Sequence, residues 1–214
     1  PFLSLVVEMK YHFQNRDPQL IYKLLASTIV PRPIAWVTTV DQMGISNAAP
    51  FSFFNMMGSE PPIVALGIQH SADGGAKDTL RNIREQKIFG INLVNRDDAE
   101  LMNLTSRDYD ASVDELKEHQ IEVIAGDLLP IPLIASSPVK MECRLYQEIP
   151  TGENQAVILG EVVMLHLIDE ALIDADAGYV DATKLNLIAR MHGRGWYSEQ
   201  DNLFEMLRPD SERR

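Results

Sequence analysis

The chain has 214 residues and one cysteine, Cys143. No intramolecular disulfide and no cysteine-rich metal centre can form, which fits a reducing cytosol. Basic residues are also few: 19 Lys and Arg stand against 31 Asp and Glu, a formal net charge of −12. That balance argues against nucleic acid or an anionic membrane surface as partner, because both need a basic face. It leaves room for a small anionic ligand, since a few local cations and backbone N–H groups hold a phosphate inside an acidic protein. No apolar run approaches the length of a membrane span. No G-x-G-x-x-G follows a strand, and there is no G-x-S-x-G. The segment "GGAKDT", Gly74 to Thr79, lacks the outer glycine of a P-loop and has Asp78 where Ser or Thr should stand. The five histidines show no ligand spacing, so no metal is expected.

The length suits one large domain or two small ones. No shift of composition, internal repeat or low-complexity segment marks a boundary. "PFLSLVVE" is apolar but has no basic n-region and no clear cleavage site. Met9 follows it, so residues 1–8 read as an extension and 9–214 as one domain, with a cytoplasmic location expected.

The elements follow from local chemistry. "DPQLIYKLLAS" reads as a helix capped by Asp17, with Pro18 in its first turn. "RPIAWVTTV" is a strand, "DQMG" a turn and "ISNAAP" the returning strand of a hairpin. "IVALGI" and "IFGINLVN" are further strands, with "KDTLRNIREQ" a helix between them. "RDDAELMNLTS" and "SVDELKEHQ" read as helices. "PVKMECRLYQEI" and "NQAVILGEVVMLHLI" are strands joined by a turn at "PTGE". Hairpin-joined strands with inserted helices predict an α+β chain that is mainly β, folded as an antiparallel, Greek-key type barrel.

One stretch fits no period. "SNAAPFSFF", Ser46 to Phe54, packs small, polar, rigid and aromatic groups together. A planar cofactor with polar edges needs such a wall: small residues admit the backbone, Pro50 fixes its path, and Asn47 and Ser52 offer hydrogen bonds. "KDTLRNI" supplies Lys77, Thr79 and a helix N-terminus for a phosphate. From chemistry alone, a core corner and a plain helix cap explain the two segments somewhat better.

Their order is more specific. "RPIAWVTTVDQMGISNAAPFSFF", then "PPIVALGI", then "KDTLRNIREQKIFGINLV" resembles the flavin reductase-like proteins of the FMN-binding split-barrel superfamily, over most of residues 18–209. The resemblance implies a split-barrel homodimer with FMN near the subunit interface. It places flavin contacts on Ala49, Pro50, Phe51 and Ser52, with Asn47 beside them. Gln69, His70 and Ser71 would follow, with Lys77, Asp78 and Thr79 on the phosphate side and Thr38 and Thr39 at the end of a strand. Near the C-terminus, "RMHGRGWY" departs from the family's R-x-G-G-x-x-Y: Arg190 and Gly193 match, Trp196 stands at the Tyr position, and Arg190 and Tyr197, one residue further on, are the flavin contacts the resemblance implies. The loop "HSADGGA" looks longer than usual and suggests a gate.

The activity implied is an NAD(P)H-dependent flavin reductase, with NADH or NADPH as hydride donor to flavin N5 and a monooxygenase or other redox partner as recipient. No catalytic residue is assigned, since hydride transfer needs stacked rings and no protein acid. His70 is the one candidate proton donor. The alternatives are an FMN electron carrier of flavoredoxin type, an oxidoreductase on another substrate, and a scaffold that has lost flavin.

Overall fold

The computed structural model describes residues 8–206, so the extension reading of 1–8 falls, Glu8 apart, outside the described residues. Helix α1 (Pro18–Thr28) starts where Asp17 accepts the Gln19 N–H at 3.0 Å. Strands β1 (Arg32–Pro33), β2 (Ala35–Val40) and β3 (Ser46–Phe51) follow. In the β2–β3 turn Asp41 Oδ1 accepts the N–H groups of Met43 and Ile45, both at 2.8 Å, and Gly44 takes φ +82°. Next come β4 (Phe54–Ser59), β5 (Pro62–Ile68), α2 (Asp78–Gln86), β6 (Ile88–Leu93), α3 (Ala99–Leu104) and α4 (Glu115–Glu118). The remaining strands are β7 (Val123–Ala125), β8 (Pro132–Ile134), β9 (Val139–Gly152), β10 (Gln155–Leu167), β11 (Leu172–Asp174), β12 (Tyr179–Val180), β13 (Ile188–Arg190) and β14 (Tyr197–Glu199). No helix among the described residues is long and apolar enough to cross a membrane.

The main sheet has seven strands in the order β3-β2-β6-β9-β10-β5-β4, with antiparallel neighbours throughout. Its two edges, β3 and β4, are joined by only Ser52 and Phe53. A flat sheet would hold those edges about 29 Å apart, at ~4.8 Å per strand. The chain from Phe51 to Phe54 reaches about 10 Å. The sheet therefore curls until its edges meet, which is a split barrel. Val37, Leu66, Phe89, Ile91 and Ile158 fill it, and α2 turns Leu80 and Ile83 into the same core.

Strand β2 is buried on both sides. Ala35 and Val37 face the barrel, while Ile34 and Trp36 pack against Met102 and Leu116 of α3 and α4. Trp36 is fully buried and donates its indole N–H to Thr105 Oγ1 at 3.0 Å. Cys143 lies in the barrel core, where burial, with Glu142 adding, pushes its thiol well above the ordinary range. Glu142 is a buried latch. Its carboxylate accepts the N–H groups of Asp127, Leu128 and Leu129, and its Oε1 lies 2.9 Å from His166 Nε2. Burial alone would raise this carboxyl, but His166 and the three N–H groups outweigh it and hold the group below its ordinary value.

Two expectations shift. The β9–β10 turn is not at "PTGE": β9 runs on through Gly152, and Glu153 and Asn154 make the turn, Asn154 at φ +55°. β4 has no counterpart in the sequence reading. "FNMMGS" lacks β-branched residues and alternation, and pairing with β5 imposes the strand across an irregular register at Met56–Gly58.

Gly160 on β10 tests the packing. An added Cβ would meet Phe89 Cζ at 2.5 Å, and Phe89, with no exposed surface, cannot swing away. Gly160→Ala is expected to cost about 1–3 kcal/mol. Urea unfolding should show a lower midpoint at unchanged slope.

Candidate functional site

β3 is an edge strand, and three of the cavities that touch it gather the expected site residues. The first, about 560 Å³, is lined by Asn47, Ala49, Ser71, Lys77, Asp78 and Thr79 among others. The second, about 210 Å³, shares Lys77 with the first and adds Pro50, Phe51, Ser52 and Gln69. The third, about 310 Å³, again touches Pro50, Phe51 and Ser52 and reaches Arg190 and Tyr197. Pro50 suits this position. The Ala48 N–H, two residues earlier, points away from the sheet to a side chain, so the donor that Pro50 lacks would also point outward.

Helix α2 builds the first cavity's cationic end. Its cap residue, Lys77, makes no side-chain capping hydrogen bond, so the first N–H groups of the helix keep no intrahelical partner. With the Lys77 ammonium they form an anion-binding terminus. The terminus is held by two amide–hydroxyl pairs. Asn47 donates to Thr79 Oγ1 and Asn82 donates to Thr39 Oγ1, each at 3.0 Å. Thr39 and Asn47 are cross-strand partners on β2 and β3, and Thr79 and Asn82 are one turn apart on α2. Asp78 lines the same cavity and is ion-paired with Arg81.

The loop after β5 closes on itself. Asp73 Oδ1 accepts the Ser71 hydroxyl at 2.5 Å and the Gly75 N–H at 2.9 Å, and these two bonds hold its carboxyl below the ordinary value. Asn154, at the tip of the β9–β10 hairpin, donates to Gly74 O at 2.9 Å. The loop is thus tied to the far end of the longest hairpin.

Three expected site residues stand apart from these cavities. Thr38 and Thr39 are fully buried. Thr38 donates to Pro132 O at 2.6 Å, and Thr39 receives Asn82. His70 is exposed, with its Nδ1 2.9 Å from Ser71 O. The structure adds Arg107, Tyr109 and Glu115 to the first cavity and Tyr22 to the third, none of them in a quoted motif, together with Arg81 and Arg194 from inside "KDTLRNI" and "RMHGRGWY". Glu115 is 5% exposed and accepts the Ala48 N–H at 2.5 Å. Burial pushes its carboxyl up to about 7 against the opposing Ala48 N–H; Asp78 and Asp114 add to the rise and Lys77 offsets it. Only the chain's path brings it to β3, so sequence spacing carries no sign of it.

The comparisons with known proteins fit this geometry. Residues 26–183 match the flavin reductase like domain. The chain belongs to that family. An uncharacterised protein of Deinococcus radiodurans is 41% identical over 192 residues, covering 87% of this chain and 84% of the relative. Among solved structures, nitrilotriacetate monooxygenase component B from Bacillus cereus superposes with a TM-score of 0.87 at 27% identity, covering 94% of this chain and 99% of that one. Pseudomonas fluorescens 2-nitrobenzoate 2-nitroreductase gives 0.85 at 28% identity, covering 95% and 98%. The fold is that of the flavin reductase-like split barrels, and membership carries a flavin-linked oxidoreductase role. The residues on β3 and α2 suit a flavin: a cationic helix terminus for the phosphate and a small-residue, aromatic wall for the ring.

Glu115 sets a pH dependence. A carboxyl raised in the folded state stays protonated where the unfolded chain has ionised, so its stabilising share is present at low pH and lost as pH rises through about 7. Glu115→Gln keeps an acceptor for the Ala48 N–H but cannot ionise. Thermal melts from pH 5 to 8 should show the wild type losing several degrees relative to the variant. A gap that stays constant across that range would count against the assignment.

Proposed function

We propose that the chain is an FMN-binding, NAD(P)H-dependent oxidoreductase that acts as a homodimer. The observation that carries this reading is the continuity of the first two cavities through Lys77, from the α2 terminus to Pro50–Ser52. Lys77, the Thr79 N–H and the first turn of α2 hold the phosphate. Asn47 and Ala49 let the backbone of β3 approach the ring system, and Pro50, Phe51 and Ser52 form its wall and polar edge, with Gln69 and Ser71 alongside. Bound there, FMN supplies a two-electron centre that takes hydride from the nicotinamide donor. The protein's own task is to orient and to exclude water, so no side chain is named as catalytic.

The homodimer reading is supported by α1, which has no buried residue although it carries Tyr22 and Leu25 exposed, with exposed Ile29 just after its end. A second copy covers that face. The similarity to a monooxygenase component and to a nitroreductase supports two fates for the electrons: transfer to a monooxygenase partner, or direct reduction of a small acceptor.

The deciding experiment is an absorbance spectrum of the purified protein with FMN, followed anaerobically by NADH and then NADPH. Flavin bands that bleach within seconds support the reductase and identify its donor. Bands that stay yellow with both donors yet bleach with dithionite overturn the nicotinamide assignment. Lys77→Ala should weaken FMN binding about tenfold or more, the worth of one charge-assisted hydrogen bond. Riboflavin, which lacks the phosphate, should bind both proteins alike.

A further inference from the structure

The third cavity differs from the first in charge. The first is ringed by Asp73, Asp78, Asp108, Asp110 and Glu115 as well as by its cations. The third has no Asp or Glu in its lining, although the chain as a whole carries −12. Its charged groups are Arg190 and Arg194, set among Tyr22, Phe51 and Tyr197. The Arg190 guanidinium lies 4.8 Å over the Tyr197 ring and donates to Gly193 O at 3.2 Å, so it is held in place.

A third guanidinium backs the cavity. Arg32 is 7% exposed and donates through Nε to Ser52 Oγ, one of the lining residues, at 3.3 Å. Its other donors go to carbonyls: Ala26 O, Ile29 O at 3.0 Å and Met191 O at 3.3 Å. Arg32 and Arg190 are direct cross-strand partners on β1 and β13. Like charges in that relation are destabilising. Among the described residues, no carboxylate lies within 4.0 Å of Arg32, Arg190 or Arg194 to offset them. Burial lowers Arg32 from its ordinary value, with Tyr22 opposing and Arg190 adding. Three cations without a counter-charge beside a redox site are an arrangement that a bound anion completes.

We propose that this cavity is a second ligand site, which holds the anionic group, carboxylate or phosphate, of the planar molecule that exchanges electrons with the flavin. It rests on the flavin reading above, since Pro50, Phe51 and Ser52 are the wall common to both ligands. It also gives Arg190 and Tyr197 a different role from the flavin contact that family resemblance implies for them. The ligand chemistry is an anion on an aromatic body, and two sources offer it: the phosphates of the nicotinamide donor, or the carboxylate of an aromatic acceptor.

Calorimetric titration of the FMN-loaded protein with NADP⁺ and, separately, with benzoate distinguishes them. At least one should bind, with affinity falling as KCl is raised. Arg194→Gln and Arg190→Gln should each weaken that anion about tenfold or more, the usual loss for a charge-assisted hydrogen bond, while FMN affinity stays within about twofold. Arg194 is exposed, so its variant keeps the fold in place. Binding of benzoate alone assigns the site to the acceptor; binding of NADP⁺ alone assigns it to the donor. Failure of both anions to bind, or equal binding by wild type and variants, overturns the proposal. So does loss of FMN in step with the anion in Arg190→Gln, which would make Arg190 a flavin contact. If the wild type takes up no FMN, the flavin reading fails, and the same titrations on the flavin-free chain still decide whether the arginine cavity binds anions.

Discussion

The square of Thr39, Asn47, Thr79 and Asn82 is the interaction on which the rest of the site depends. Two side-chain hydrogen bonds join one helix to one hairpin, and each uses a buried amide that would be costly to leave unpaired. Because the donors sit on different elements and the acceptors are likewise split, α2 can neither slide along β3 nor rotate about its own axis without breaking one of them. The direction of the helix terminus, and so of its positive end, is therefore set by polar contacts at the barrel mouth. Leu80 and Ile83 contribute burial to the same docking, but apolar packing alone is non-directional.

Barrel closure and site formation are the same event. β3 and β4 are neighbours in sequence and opposite edges in the sheet, so the segment between them lies at the seam. An edge strand there exposes backbone groups that a central strand would spend on pairing. The fold uses some of them internally, as in the Ala48 N–H to Glu115, and leaves others beside cavities. Small residues on β3 keep that edge open to a ligand. This is why "SNAAPFSFF" fits neither helical nor strand periodicity: it is shaped by the seam rather than by one buried face.

Much of this was legible in the sequence where the information is local. Asp17, Asp41 and Gly44 act within a few residues of themselves, and their elements follow from them. The long β9–β10 hairpin showed in its apolar runs, though Asn154 rather than the Pro-Thr-Gly segment makes its turn. The family motif brought Asn47, Lys77 and Thr79 to one place. What was not legible is what only folding brings together. β4 exists because β5 pairs with it. Thr39 was legible as a residue of interest, yet its hydroxyl serves α2. Glu115 reaches its cavity through the packing of a short helix that carries no recognisable spacing, and Arg194 through a turn whose segment departs from the family pattern.

The link through Ser52 and Phe53 has a mechanical consequence. Two residues tether the barrel's edges, so the seam has little freedom to gape. The ladders between neighbouring strands fix their register as well, since a slip would turn buried side chains outward. Room for a ligand at the seam is therefore left to the side chains and loops around it. A single backbone cut at the tether would release that restraint, leaving the seven strands paired side by side and their two edges free to part.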